Sequence, residues 1–169
     1  MRLYLMRHAT AVPSGTPGYA QDAQRPLTEE GQQEAHAVAE GLKQLRVPVD
    51  LVITSPYRRA AQTAQQVARV FGLRLPVREM AELRSEVNPS ETSCALTGLA
   101  AHEHVILVGH EPHLSAWIAE LVAEQGAMRC MVKKGGVACV EIDRVPPQQG
   151  SGLLRWLMTS KQLIMIGTR

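Results

Sequence analysis

The sequence has little net charge of either sign. Its 169 residues carry 18 Lys and Arg against 16 Asp and Glu, which leaves a formal charge of +2 at pH 7. Proteins that bind nucleic acid or anionic membranes through bulk charge usually carry a strong basic excess or a clustered basic stripe. We therefore expect neither a nucleic acid nor a membrane among the partners. If the protein handles an anion, a few placed cations must hold it.

Cysteines and long apolar runs are also scarce. The three cysteines, at positions 94, 130 and 139, are odd in number and have no C-x-x-C spacing. This pattern disfavours a disulfide framework or a cysteine-based zinc site, and it favours a reducing compartment. Apolar runs such as residues 105–108 are far too short to span a bilayer, and Arg7 interrupts the segment that a signal peptide would need to be apolar. We therefore expect a cytoplasmic protein.

Several common motifs for nucleotide binding and hydrolysis are missing. The sequence contains no G-x-x-x-x-G-K-[ST], no G-x-G-x-x-G and no G-x-S-x-G, and no cysteine has the C-x-x-x-x-x-R spacing of cysteine phosphatases. Four histidines fall between positions 102 and 113, but Pro112 breaks the helix that an H-E-x-x-H zinc site would require. We predict neither a bound metal nor another cofactor.

The remaining pattern is that of one globular α/β domain over residues 1–169. Hydrophobic residues make up 45% and charged residues 20% of the chain, while aromatics, at 4%, leave the core to Leu, Val, Ile and Ala. Helices are predicted after an N-cap at Thr28 (with apolar positions from Ala35 to Leu45), after Ser55 as N-cap with Pro56, over residues 90–101 and from Pro112. Strands are predicted over residues 3–6, 50–54, 75–78, 104–108, 137–142 and 153–158. This alternation predicts three layers, with a mostly parallel central sheet, helices on both faces and a final antiparallel hairpin.

Histidines and arginines follow three of the predicted strands. Arg7 and His8 follow the first strand, Arg58 and Arg59 the second, and His110 the fourth. Ligands of parallel sheets bind beyond the carboxyl ends of the strands. Guanidinium groups bind phosphate oxygens in forked pairs, and an imidazole kept neutral by neighbouring cations can attack phosphorus. The pattern therefore predicts phosphoryl chemistry, although helical periodicity does not choose between Arg58 and Arg59.

Three segments resemble the motifs of the histidine phosphatase superfamily. The segment Leu5-Met-Arg-His-Ala9 resembles its Arg-His-Gly signature. Its second motif is similar to Ser55-Pro-Tyr-Arg-Arg-Ala-Ala-Gln-Thr-Ala64, and its third is similar to Val108-Gly-His-Glu-Pro112. The short chain and the run Arg25-Pro-Leu-Thr-Glu-Glu-Gly31 are similar to the SixA branch, the small phosphohistidine phosphatases. The resemblance extends in order from residue 1 to about residue 142, and it implies the phosphoglycerate-mutase-like fold of that superfamily.

The resemblance also implies roles for individual residues. His8 would be the nucleophile that becomes phosphorylated, and Arg7, Arg59 and His110 would hold the phosphate without a metal. The motif selects Arg59 over Arg58 because its arginine immediately precedes an alanine. Arg25, in the loop after the first strand, would also reach the phosphate.

Two departures from the family pattern bear on the substrate. Ala9 stands where the signature has glycine. Members that cleave phosphate esters use a general acid, for which this sequence has one candidate, Glu82. The alternative interpretation is that Glu82 belongs to a solvated acidic loop. The favoured function is a phosphatase that acts on phosphohistidine in a protein partner of the histidine-phosphotransfer type. The alternatives are a broad-specificity phosphomonoesterase for small phosphorylated substrates, with Glu82 as the acid, and a catalytically silent phosphate-binding module.

Overall fold

The computed structural model describes residues 1–72, 77–124 and 128–168. Their six strands are β1 (Arg2–Arg7), β2 (Leu51–Thr54), β3 (Arg78–Glu79), β4 (His104–Gly109), β5 (Val137–Glu141) and β6 (Leu153–Met158). The five α-helices are α1 (Glu29–Gln44), α2 (Arg58–Phe71), α3 (Pro89–Ala95), α4 (His113–Val122) and α5 (Ser160–Gly167). Short 3-10 segments lie at Asp22–Gln24, Ala81–Leu83 and Leu96–Leu99.

The strands form one sheet in the order β3-β2-β4-β1-β5-β6. The first four strands in that order are parallel. Strand β5 pairs antiparallel with β1, and β6 pairs antiparallel with β5. The predicted α/β fold, with its mostly parallel sheet and final antiparallel hairpin, is confirmed.

Both faces of the sheet are buried, because alternate side chains of the central strands enter two different cores. On β1, Leu3 and Leu5 face one core while Tyr4 and Met6 face the other. The first core contains the predicted apolar side of α4, which consists of Leu114, Trp117, Ile118 and Leu121. The second core contains apolar residues of α1, α2 and α5, including Val38, Leu42, Val67 and Leu163. The predicted three-layer arrangement is therefore confirmed.

The helix boundaries correct several predictions. The Thr28 side chain caps α1 as expected, by accepting a hydrogen bond from Gly31 N at 3.0 Å, but the helix ends at Gln44, so that Leu45 is 39% exposed rather than part of the apolar side. The prediction that Ser55 caps the second helix is wrong. That helix begins at Arg58, and the Ser55 hydroxyl lies 2.8 Å from a ring nitrogen of His110. The Ser55 hydroxyl therefore makes its shorter contact with a residue distant in the sequence.

Three further segments differ from the sequence prediction. The helix expected over 90–101 is α3, which Pro89 starts, followed by the 3-10 segment Leu96–Leu99. Of the strand expected over 75–78, residues 75 and 76 lie outside the described residues, and the observed strand is Arg78–Glu79. Helix α5 was not predicted, although Thr159 and Gln162 form a capping box at its start. Within the described ranges, no helix is long and apolar enough to cross a membrane.

Candidate active site

Three strand ends meet beside one cavity. Arg7 is the register partner of Gly109, and the backbone N–H of His8 donates to the Gly109 carbonyl at 3.1 Å, so that His8 and His110 leave the sheet side by side. Ser55 follows β2 at the same level, because its N–H donates to Val108 O at 2.9 Å. The cavity has a volume of about 420 Å³, and the predicted site residues that line it are Arg7, His8, Arg25, Arg59 and His110.

The hydrogen bonds of His8 fix which of its ring nitrogens carries the proton. Nδ1 lies 2.7 Å from the carbonyl oxygen of Ala9, which can only accept, so Nδ1 must donate. Nε2 lies 3.1 Å from Nε of Arg59, which can only donate, so Nε2 must be the acceptor. The imidazole is therefore neutral, with its free electron pair on the nitrogen that faces the arginine.

The surroundings of His8 also oppose a positive charge on its ring. The residue is 7% exposed, and burial, together with the nearby cations Arg59, Arg7 and Lys134, lowers the pKa of His8 to about 3. The hydrogen bond to the Ala9 carbonyl acts in the opposite direction and is outweighed. A neutral nucleophilic nitrogen is thus present at any pH well above this value.

Arg59 is held by Asp22, a residue that the sequence analysis did not select. The Arg59 guanidinium donates to the Asp22 carboxylate at 2.8 Å and to the Asp22 backbone carbonyl at 2.7 Å. Arg25 donates to the same carboxylate at 2.7 Å. Although partial burial opposes it, the hydrogen bonds and charges of Arg25 and Arg59 hold the pKa of Asp22 below its ordinary value. The spacing of Asp22 and Arg25, three residues apart in a loop, was the available signal in the sequence.

The Arg7 guanidinium has one nitrogen held by a hydrogen bond and one without a partner in the described structure. Its Nη1 donates to the Val132 carbonyl at 3.1 Å, while its buried Nε has no hydrogen-bond partner among the described residues. Val132 is itself held by Glu111, whose carboxylate accepts from Val132 N at 2.9 Å and from the Ser115 hydroxyl at 2.6 Å. Glu111 therefore fixes the peptide segment on which Arg7 rests.

His110 has a similar free donor or acceptor position. The residue is 1% exposed, and its Nε2 lies 2.8 Å from the Ser55 hydroxyl, whose oxygen also accepts from Tyr57 N at 3.4 Å. Nδ1 is buried and has no hydrogen-bond partner within the described part of the chain. Burial, with the neighbouring His8 and Arg59, lowers the pKa of His110 to about 2. If the Ser55 hydroxyl donates to Nε2, the proton of the neutral ring lies on Nδ1 and is available to a ligand.

The two adjacent arginines of α2 have different positions. Arg59 is buried and belongs to the cavity, whereas Arg58 is exposed. The structure thus brings to His8 the arginine that the motif selected. It also brings Lys134, a cation that the sequence analysis did not consider, to the cavity lining.

Glu82 lies outside the group of residues that line the cavity beside His8. It belongs to the 3-10 segment Ala81–Leu83 and lines a separate surface cavity with Ser90, Glu91 and Cys94. The carboxylates that line the His8 cavity belong to Asp22 and Glu111, and both already accept the hydrogen bonds described above.

Tight packing holds the backbone around Ala9. Ala9 is fully buried, and its N–H donates to the hydroxyl of Thr63 at 3.2 Å. Helix α1 packs closely against Thr10, the residue after Ala9. A Cβ atom on Gly31 of this helix would lie 1.8 Å from the Thr10 carbonyl oxygen. Gly31 is therefore required for this close approach, and the methyl group of Ala9 is accommodated inside the packing.

The other histidines serve different contacts. His113 is buried, with Nε2 3.1 Å from the Thr92 hydroxyl and Nδ1 3.0 Å from the Val87 carbonyl. His102 lies near Asp50 at the opposite end of β4. Over residues 1–72, 77–124 and 128–168, no three His, Cys, Asp or Glu side chains are grouped so that they could hold a metal ion.

Comparison with known proteins gives the same family as the motifs. The profile of the histidine phosphatase superfamily (branch 1) matches residues 3–89. The phosphohistidine phosphatase SixA of Escherichia coli is 30% identical, with 98% of each chain covered. A structure of the protein histidine phosphatase SixA complexed with tungstate is 28% identical and superposes with a TM-score of 0.83, covering 96% of this chain and 99% of that one.

The fold extends to a small-molecule phosphatase. The α-ribazole phosphatase of Shigella flexneri superposes with a TM-score of 0.74 over 95% of this chain and 97% of that one, at 22% identity, a likeness that concerns the fold alone. The profile match covers half of the sequence, and the identity to SixA extends over nearly all of it. The chain therefore belongs to the histidine phosphatase superfamily and is a hydrolase of the phosphatase class.

Proposed function

We propose that this phosphatase removes the phosphoryl group from phosphohistidine on a protein partner, with His8 as its nucleophile. The observation that carries the proposal is the tautomer of His8, whose unprotonated Nε2 faces the cations of the cavity. In the first step a bond forms between Nε2 and phosphorus while the bond from phosphorus to the substrate imidazole breaks. The substrate ring carries a proton on its other nitrogen, so that it takes the electron pair of the broken bond and leaves as neutral imidazole. In the second step water attacks the phosphorylated His8, which releases phosphate and returns the electron pair to Nε2.

The cavity supplies the charges that such a transfer needs. Arg7 Nε and His110 Nδ1 are buried nitrogens without partners in the described structure, and both line the cavity with Arg59. We assign these three groups to the phosphate oxygens, with Arg25 and Lys134 at the rim. Donors held in place before the substrate arrives stabilise developing charge without reorganisation. In this mechanism the arginines supply the electrostatic stabilisation, so that no metal ion is needed.

The likeness to SixA and the positions of the carboxylates support a phosphohistidine substrate. Glu82 lies outside the cavity, and Glu111 and Asp22 are hydrogen-bonded to protein groups. An ester needs an acid to protonate its leaving oxygen, whereas imidazole leaves from phosphorus more readily. The name of the SixA relative specifies phosphohistidine. We take the protein that carries it to be of the histidine-phosphotransfer type.

A small phosphomonoester is the second candidate. The cavity volume of about 420 Å³ falls within the range of small-molecule sites, and the Asp22 carboxylate would become available if a substrate displaced it from Arg59. In that case the acid would be Asp22 rather than Glu82.

Hydrolysis of two substrates tests the proposal. Purified protein is assayed with a phosphorylated histidine-phosphotransfer domain and with p-nitrophenyl phosphate, in the presence and absence of EDTA. We expect much the larger kcat/KM for the phosphohistidine, no effect of EDTA, and loss of turnover in His8→Ala but not in the control His36→Ala, whose side chain is half exposed on α1. Glu82→Gln should leave both activities unchanged.

Each contrary outcome has a distinct meaning. A preference for the ester that Asp22→Asn removes would favour the phosphomonoesterase. Phosphate binding without turnover of either substrate would favour the silent binding module, and strong inhibition by EDTA would contradict the metal-free mechanism.

The free thiols bear on where the reaction occurs. Cys94, Cys130 and Cys139 are free cysteines. Free thiols are typical of a reducing environment, and we accordingly place this phosphatase in the cytoplasm.

A further inference from the structure

A second cavity lies at the opposite end of the sheet from His8. It opens beside Arg2, at the start of β1, whereas the active-site cavity opens beside Arg7, at the end of the same strand. Five residues of extended strand separate the two positions, which corresponds to about 16 Å. The second cavity has a volume of about 270 Å³ and shares no lining residue with the first.

Three arginines from different elements converge on this cavity. Arg2 comes from β1, Arg155 from β6, and Arg46 from the turn that follows α1. No acidic side chain is among its lining residues in the described structure. The nearby Glu141 accepts from Nε of Arg2 at 3.2 Å and lies 3.9 Å from Nε of Arg155. Both carboxylate contacts use Nε, and the Tyr4 hydroxyl is a further neighbour of the Arg2 guanidinium. The forked Nη1 and Nη2 groups of Arg155 are left for a ligand in the described structure.

The turn after α1 places the backbone of the third arginine beside the cavity. Arg46 has a φ of 55°, a left-handed conformation in which glycine is the usual residue at a helix end. Two hydrogen bonds hold the turn, from Arg46 N to Lys43 O at 2.9 Å and from Val47 N to Leu42 O at 3.1 Å. The Arg46 side chain has no ion pair or hydrogen bond within the described ranges. Its charge is thus presented to the cavity without a counterion.

Aromatic side chains form the wall of the cavity. Tyr4, Cys139 and Trp156 are register partners across β1, β5 and β6, and they lie next to one another on the sheet. The Tyr4 and Trp156 rings have their centroids 6.0 Å apart. Trp156 is partly exposed, so part of its indole surface is open to a ligand. Tyr4 is buried, and its hydroxyl interacts with the Arg2 guanidinium.

We propose that this cavity is a second anion site, which binds a small organic phosphate that carries a flat ring. Three guanidinium groups line the cavity, and the Glu141 carboxylate contacts two of them. The resulting excess of positive charge suits a phosphoryl dianion. Guanidinium forks pair with phosphoryl oxygens in two parallel hydrogen bonds. The indole of Trp156 offers an apolar surface against which a ring can stack. The ligand does not need the chemistry of His8, so the inference is independent of the proposed catalytic function.

Tryptophan fluorescence provides a direct readout, because the second tryptophan, Trp117, is fully buried in the other core. The probes are phenylphosphonate and methylphosphonate, which carry the same anionic group with and without a ring and which a phosphatase does not hydrolyse. The measurement is repeated on Arg59→Ala, which weakens phosphate binding in the active site. We expect phenylphosphonate to change the fluorescence in a saturable way, with about fivefold higher affinity than methylphosphonate.

Arginine variants test where the probe binds. Arg46→Ala and Arg155→Ala should each weaken phenylphosphonate binding by about tenfold or more, since each removes a charged hydrogen-bond donor. The control Arg69→Ala removes an exposed arginine of α2 that does not line the cavity, and it should bind as wild type does. None of the three variants should change the phosphatase kcat/KM.

Three results would overturn the proposal. The first is the absence of saturable binding to the wild-type protein. The second is binding that Arg59→Ala abolishes, which would assign the phosphonate to the active site. The third is binding that both Arg46→Ala and Arg155→Ala retain at wild-type strength. Equal affinities for the two phosphonates would refute the part of the inference that concerns the ring.

Discussion

The two buried histidines of the active site predict that the fold loses stability in mild acid. Burial lowers the pKa of His8 to about 3 and that of His110 to about 2, from an ordinary value of 6.5. Above the ordinary value both rings are neutral in the folded and unfolded states, and they add no pH dependence. Below it the unfolded chain binds protons that the folded chain does not. The free energy of unfolding must therefore fall as the pH falls, until the folded-state pKa values are reached.

The size of the effect follows from the same values. At about pH 5 an unfolded histidine is protonated about thirtyfold over its neutral form, while both folded histidines are still neutral. The free energy of unfolding then decreases by about 2 kcal/mol for each histidine, or about 4 kcal/mol for the pair. Domains of this size are commonly stable by only about 5–15 kcal/mol, so the loss should be easy to measure.

Urea unfolding, followed through the fluorescence of the buried Trp117, measures this dependence in phosphate-free buffer at about pH 7 and about pH 5. His8→Asn and His110→Asn should each reduce the difference between the two pH values by about 2 kcal/mol. Burial also lowers the pKa of His113, so part of the difference should remain in the double variant. His36→Asn, which changes a half-exposed histidine, should leave the difference unchanged. A wild-type protein that is equally stable at both pH values, or a double variant that keeps the full difference, would refute the reasoning.

Three further predictions concern the phosphate-binding groups. Arg59→Ala should lower kcat/KM by about a hundredfold to a thousandfold, as loss of a transition-state donor does. Arg58→Ala, which removes an exposed side chain, should change kcat/KM by less than about twofold. Equal losses would contradict the assignment of Arg59 to the phosphate. Glu111→Ala frees the segment that anchors Arg7, and it should lower kcat/KM by about tenfold or more. Glu111→Gln keeps a hydrogen-bond acceptor and should keep most of the activity. Equal activities of the two variants would show that Glu111 does not position Arg7. Asp22→Asn removes a negative charge that competes with phosphate for Arg59. Inorganic phosphate should therefore inhibit this variant about fivefold more strongly than it inhibits the wild-type protein. Weaker inhibition would instead show that Asp22 is needed to position the Arg59 guanidinium.

The sequence predicted the sheet and the residues at its edge for one physical reason. Buried parallel strands are continuous apolar runs, and the residues that follow them must emerge at one edge of the sheet. Arg7, His8, Arg59 and His110 all lie within a few residues of a strand end, so their meeting follows from the strand assignments and the topology. The choice of Arg59 over Arg58 needed the family motif, because two adjacent polar positions at a helix start have the same periodicity.

The residues whose contacts the sequence did not predict depend on loop geometry or on tertiary hydrogen bonds. Asp22 lies in a proline- and glycine-rich loop without periodicity, and its contact with Arg59 joins two segments that are 37 positions apart. Ser55 has the local pattern of an N-cap, but its hydroxyl makes a stronger contact with the buried His110. Glu82 was selected by sequence position, and the 3-10 segment that carries it faces a different cavity. In each case a local signal was present, and its outcome was decided by a distant part of the chain.

In the proposed mechanism, binding of the substrate would also activate His8 as the nucleophile. Arg59 donates at once to Nε2 of His8 and to the carboxylate of Asp22, so the electron pair that must attack phosphorus is occupied before a substrate arrives. A phosphoryl dianion carries more negative charge than the Asp22 carboxylate, and it can also accept from Arg7 Nε, which has no partner in the described structure. We therefore expect the dianion to draw the Arg59 guanidinium away from both groups. Nε2 of His8 would then be free only when a phosphoryl group lies in front of it, which explains why a near-neutral protein can keep such a concentration of positive charge around a neutral nucleophile.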